Sequence, residues 1–209
     1  MNAIFTHDPK AVPALAADVR MTENTGQINV GEGVLWRSKV EPTTLKIYVA
    51  DPVAGQVALQ ARLTVQGRDT LAAIRLKVNR GKISEVEQLH AGNIAPQAIE
   101  LLTTPRTILT EDVPPNQRVS REVMFRVANS YSQQIDTKIF AYMKRIRPRR
   151  ALILDEQKQT VGTFPLFIHD GTRRGAAPEA PPGMLQNLVT METFACEAGR
   201  FITSRQRRS

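Results

Sequence analysis

The sequence predicts an α+β protein made of two similar units, and three observations carry that prediction. Long runs of alternating apolar and polar residues, joined by short turns, occur twice. Each set opens on an acidic turn, DPVAGQ at Asp51 and DEQKQT at Asp155. Between the two sets lies a stretch with helical period. A repeated pattern of this length fixes the architecture before any site is considered, and helices alternating with long meandering strands belong to the α+β class.

The elements follow in order. Residues 19–24 (VRMTEN) alternate as a half-buried strand does, and Thr25-Gly26 turns the chain into a return strand over 27–30. Gly31-Glu32-Gly33 breaks it before VLWR. Leu45 to Ala50 is a β-branched and aromatic strand that Asp51-Pro52 ends. Val57, Leu59, Ala61, Leu63 and Val65 alternate, then Ala72, Ile74, Leu76 and Val78, and Arg80-Gly81 leads into Ile83 to His90. Strands joined by such short turns are antiparallel.

Residues 93–118 contain Pro96, Pro105, Pro114 and Pro115 and read as a connector with a short helix over 97–102. Val123, Val127 and Tyr131 are spaced by four and mark a helix, with Met124 and Phe125 widening its apolar face; 132–143 continues it. Strands are expected over 151–154, 161–168, 185–196 and 200–204, with a loop over 171–183 rich in Pro, Ala and Arg. The resulting division is a first unit over 1–92, a linker over 93–118 and a shortened second unit over 119–209. Each sheet is expected to be curved and antiparallel, with helices on its concave face and a mouth able to hold a small ligand.

Composition narrows the class. The 209 residues are 42% hydrophobic, which is globular, and no apolar run is long enough for a transmembrane helix. No signal peptide is visible, so a cytoplasmic protein is the expectation. The single cysteine, Cys196, gives neither a disulfide framework nor a metal spacing, and no metal or cofactor is expected. The net charge of +8 sits in the second half, in Lys144, Arg145, Arg147, Arg149 and Arg150 and again in Arg205, Arg207 and Arg208. With aromatics at 5% and no nucleic-acid module, binding to nucleic acid is disfavoured. An acidic partner or a homo-oligomer is compatible with the charge. Nucleotide and nucleophilic-elbow fingerprints are absent.

The stretches RMTENTGQ (Arg20 to Gln27), GVLW (Gly33 to Trp36) and AIRLKV (Ala73 to Val78) followed by ISEVE (Ile83 to Glu87) resemble the nuclear transport factor 2-like, or SnoaL-like, superfamily. They are similar in particular to fungal and bacterial proteins of unknown function built from two such units. The second unit's matching stretch is IDTKIFAYMKRIRPRRALILDEQ. The resemblance implies tandem cystatin-like cones packed as a covalent pseudo-dimer. Thr25 interrupts the family's Glu-Asn-Gly and Val34 lengthens its Gly-Leu-Trp, so both loops are expected to bulge. The second unit lacks a counterpart of the Glu23 hairpin, which directs the search for a site to the first.

There, Glu23 is the candidate acid/base, because a carboxylate in an apolar cleft can hold or release a proton near neutrality; a hydrogen bond from a strand-end Glu to a loop is the structural alternative. Asn24 would orient a small organic ligand, Trp36 and Tyr48 would wall it, and Arg75 would hold an anionic group if its strand face were the concave one. On a convex face, Arg75 and Lys77 are ordinary charged residues. Glu85 and Glu87 share a strand face and either do acid/base work or answer Lys and Arg across strands, and His90 is a candidate proton shuttle beside them. The functional expectation is small-molecule binding in the first unit, with isomerase, dehydratase or hydrolase chemistry. The alternative is a non-catalytic binding or assembly protein whose basic second unit meets an acidic partner.

Overall fold

The computed structural model describes residues 4, 6–8, 11–12, 14–92, 94, 96–138, 145–169, 186–189, 192–197 and 200–203. The chain divides into two compact units, 1–111 and 112–209. The boundary falls inside the expected connector. Its first part carries a one-and-a-half-turn helix, Pro96–Leu101, and belongs to the N-terminal unit. Arg62 Nη1 donates to the Ile99 carbonyl at 3.3 Å, the Thr44 hydroxyl donates to the Thr103 carbonyl, and Leu109 is buried.

In the N-terminal unit the strands are β1 (Leu15–Glu23), β2 (Gly26–Ile28), β3 (Val40–Asp51), β4 (Gln56–Val65), β5 (Arg68–Asn79) and β6 (Lys82–Ala91), with a short helix α1 (Val34–Arg37) between β2 and β3. The described strands form one sheet in the order β2-β1-β6-β5-β4-β3. The meander from β3 to β6 is antiparallel, as its short turns require. The expectation of a wholly antiparallel sheet is corrected at β1, which pairs with β6 in parallel. The β1–β2 hairpin reaches β6 through the whole meander rather than a turn, so no turn geometry dictates its direction. The sheet is mixed and the class α+β.

One face of this sheet, called the inner face here, carries Val40, Leu59, Ala61, Leu63, Val65, Ala72 and Ile74. Ile4 and Leu35 pack onto it, joined by the partly buried Trp36 and Leu76. A helix of four residues has no stability of its own. α1 persists because Leu35 is completely buried, worth about 1.5–3 kcal/mol, and because its first amides are capped from β1.

The C-terminal unit contains helix α3 (Arg121–Lys138) and strands β7 (Arg145–Asp155), β8 (Thr160–His169), β9 (Gln186–Val189), β10 (Glu192–Glu197) and β11 (Arg200–Thr203); the helix of the connector is α2. Ser120 precedes α3 as its cap, with the Val123 amide 3.4 Å from its hydroxyl. Met124 and Ala128, four apart on α3, are buried and pack on Leu154 and Val161. Phe125, assigned to the apolar face from sequence, is 50% exposed. β9 and β10 pair with β8 in one continuous register, as a single strand over 185–196 would. The loop expected over 171–183 lies outside the described residues, as does the end of the helix expected beyond 138.

The two acidic turns share a geometry. Asp51 pairs with Gln56 and Asp155 with Thr160, each closing a four-residue loop. Both carboxylates are buried and bond their own turns: Asp51 Oδ1 accepts from the Ala54 amide, and Asp155 Oδ1 from those of Gln157 and Lys158, at 3.0–3.1 Å. The last loop residue is left-handed in both, Gly55 at φ 62° and Gln159 at φ 51°. At Gly55 a Cβ would stand 2.6 Å from the Val78 carbonyl oxygen, so only glycine fits. Gln159 instead spends its side chain on the Val119 amide and the Glu156 carbonyl, tying the approach to α3 onto the hairpin.

Candidate functional site

Cross-strand register places five residues in one row over the inner face: Glu23 on β1, Gln88 on β6, Ile74 on β5, Leu59 on β4 and Tyr48 on β3. The polar end of this row is the candidate site. Glu23 ends β1, and the Asn24-Thr25 turn that follows is a two-residue hairpin loop with both residues left-handed, φ 46° and 76°. The bulge expected from Thr25 is therefore absent. The chain accepts a β-branched residue at positive φ and keeps the tight turn, which holds Asn24 against β6. The Asn24 amide donates to the Gln88 carbonyl at 2.9 Å, and Asn24 Oδ1 accepts from the His90 amide at 2.9 Å.

The Glu23 carboxylate caps α1. Oε1 accepts from the Val34 amide at 2.8 Å and Oε2 from the Leu35 amide at 3.4 Å. Gly33, at φ 93° and ψ 166°, permits that approach, because a Cβ there would lie 2.7 Å from Glu23 Oε2 and 2.9 Å from Ile28 Cδ1. The structural alternative weighed for Glu23 thus describes bonds it makes, and its side chain is only 9% exposed.

His90 joins this carboxylate. Its Nε2 lies 3.5 Å from Glu23 Oε1 and 3.4 Å from Asn24 Nδ2. A protonated Nε2 donates to Glu23, whereas an unprotonated one accepts from Asn24. The ring is thereby held between one acceptor and one donor. The expected pairing of His90 with Glu85 or Glu87 does not form. Those residues are an odd number of steps away along β6, and the pleat turns them to the opposite face.

That opposite face carries the fixed charges. Arg75 Nε and Nη2 donate to Glu87 Oε2 at 3.1 Å and Glu85 Oε2 at 2.6 Å, and Nη1 to Gln56 Oε1 at 3.1 Å. Arg20 donates to Glu85 at 2.8 Å, and Lys77 stands 3.7 Å from it. Burial pushes the Glu85 carboxyl up, but bonds from Arg75 and Arg20 and the charges of Arg75 and Lys77 outweigh it and hold the group below its usual range. Arg75 is thus the centre of an ion-pair network on the other side of the sheet from Glu23. Glu85 and Glu87 answer cations across strands, the second of the two roles weighed for them.

The aromatic residues divide. Trp36 packs against the inner-face cluster, with the His7 ring 6.4 Å away and tilted by 52°. Tyr48 shares the inner-face row but is 46% exposed on the outermost strand. Four strand spacings, about 19 Å along a flat sheet, separate it from Glu23. The structure brings Glu23, Asn24 and His90 together and leaves Tyr48 and Arg75 apart from them. Gln88 and Gly33 complete the cluster. For Gln88 the available sequence signal was parity, since it shares the face of His90; for Gly33 it was a glycine just ahead of an apolar turn.

Residues 122–203 match the model of a domain of unknown function (DUF8021), which lies within the C-terminal unit. Among solved structures the chain is similar to an NTF2-like protein of unknown function from Cytophaga hutchinsonii ATCC 33406. The identity is 16% and the TM-score 0.33, over 47% of this chain and 86% of that one. No curated protein matches. Among the described residues, no helix is long and apolar enough to cross a membrane, and no three His, Cys, Asp or Glu side chains are grouped to hold a metal ion.

Proposed function

We propose that the chain consists of two NTF2-like units and that the N-terminal one binds a small organic molecule at the polar end of its inner face. His90 is the proton-transferring group there, Glu23 orients it, and Asn24 sets the turn that positions both. The chemistry this suits is acid/base: isomerisation, dehydration or hydrolysis. One observation carries the reading, the carboxylate–imidazole pair of Glu23 and His90 on a single sheet face, with the His90 side chain 15% exposed. An imidazole steered by a buried carboxylate is a general acid/base arrangement, and such contacts are often long until substrate binds. Glu23 acts through His90 in this reading because its own oxygens are engaged by the α1 amides. The shared geometry of the Asp51 and Asp155 turns supports the two-unit part.

Mass spectrometry of the protein purified under native conditions tests it. A stoichiometric small molecule carried by the wild type and by Tyr48→Ala, and lost from His90→Ala, is the expected result. A molecule retained by His90→Ala overturns the assignment. The second reading, a non-catalytic assembly protein, is favoured by the packing of Ile4 and Leu35 over the inner face. It predicts that the wild type carries no such molecule.

A further inference from the structure

We infer that the ligand of this site is a compact neutral or cationic molecule presenting an O–H or N–H donor, read by Gln88; the inference rests on the ligand site proposed above. Gln88 is 3% exposed, and its Oε1 is fully buried with no hydrogen-bond partner among the described residues. It is the cross-strand partner of Glu23 on one side and Ile74 on the other, so its side chain rises from the inner face between the carboxylate and the apolar cluster. A buried amide oxygen left unmet is costly. Packing alone would be served by an apolar side chain, as Ile74 and Leu59 serve it in the same row. An acceptor held in that position selects a ligand that brings a donor.

Charge narrows the class further. Glu23 flanks Gln88, whereas Arg20, Lys77 and Arg75 lie on the opposite face and are bound to Glu85 and Glu87. A carboxylate or phosphate beside Gln88 would meet the Glu23 carboxylate, and among the described residues His90 is the cation-forming side chain in contact with Glu23. Leu59 and Ile74 lie under Ile4 and Leu35, so the partly buried Trp36 and Leu76, which border that cluster, are the apolar surfaces left for the rest of the ligand. An alcohol, phenol, amide or amine on a small hydrocarbon body satisfies all three conditions.

Three probes of one ring separate the possibilities: phenol (a donor), anisole (the same ring without the donor) and benzoate (an anion). The readout is the shift of the His90 ring and Gln88 amide NMR signals on titration of the full chain. Phenol is expected to bind at least about tenfold more tightly than anisole, since the acceptor stays unmet in the anisole complex, with benzoate weakest. In Gln88→Met the preference for phenol over anisole should fall within about twofold. That variant should be at least as stable as the wild type, because an unmet acceptor is gone. Anisole or benzoate equalling phenol overturns the ligand class and leaves the site standing. No shift at His90 from any probe removes site and class together. A Gln88→Met protein that is less stable, or that keeps the preference, assigns Gln88 to the fold, and Gln88→Leu repeats that comparison with a different shape.

Discussion

Glu23 Oε1 accepts the backbone N–H of Val34 at 2.8 Å, so a strand-end carboxylate in the first hairpin caps the one-turn helix that carries Leu35 and Trp36. Replacing Glu23 by Ala strands two amides at the start of α1. A loss of about 1–2 kcal/mol is expected in urea denaturation, together with a shift in the emission of the chain's single tryptophan, Trp36.

The cap depends on Gly33. Gly33→Ala forces a Cβ into Glu23 Oε2 and Ile28 at a backbone conformation that suits glycine alone, and about 2 kcal/mol or more should be lost. Half of that clash is with Glu23 itself. The double variant with Glu23→Ala should therefore be less destabilised than the sum of the singles, and strict additivity would refute the contact.

Thr25 sits at φ 76°, where a β-branched residue is disfavoured. Thr25→Gly keeps the two-residue turn and relieves the strain, so the melting temperature should rise, by an amount equivalent to about 1 kcal/mol. A fall would mean that the threonine side chain contributes something its backbone conformation conceals.

Arg75 is 8% exposed and Glu87 3%. Arg75→Met leaves buried carboxylate charge without its guanidinium, and a loss of about 3–5 kcal/mol is expected by chemical denaturation. Exposed pairs behave differently. Lys39→Ala, which breaks the 2.7 Å contact with Glu41 at the surface, should leave the denaturation midpoint essentially unchanged.

Acid should expose the same network. Because the folded-state carboxyl of Glu85 lies below its ordinary value of 4.5, its stabilising contribution is complete above that pH. It is lost as pH falls through the lower folded value, where the unfolded chain binds the proton first. Glu85→Gln should flatten the dependence of stability on pH below about 4.5 and leave its neutral limb parallel to the wild type. An unchanged acid limb would show that the Arg75 and Arg20 bonds do not govern the titration.

Much of the fold was legible because it is local. The alternation of Val57 to Val65 and of Ala72 to Val78 named the inner-face residues, and Asp51 and Asp155 announced their turns. The site was legible only in part. Glu23 and Asn24 stood out on their hairpin, but His90, 66 residues beyond Asn24, was matched to its chain neighbours Glu85 and Glu87 instead. Strand parity would have excluded those partners, though it could not have supplied Glu23. The parallel pairing of β1 with β6 supplies it, and no turn encodes that pairing.

By itself, the sequence determined where the long strands and helix α3 form, which residues share a face, and that the two acidic turns are built alike, because these follow from backbone geometry over a few residues. Tertiary structure alone decided that β1 lies beside β6, that Arg75 and Glu23 occupy opposite faces, and that Glu23 meets both α1 and His90. The reason is physical: a carboxylate's role is set by the donors that reach it, and here they come from α1, beyond the hairpin, and from His90 on β6, at the far end of the meander.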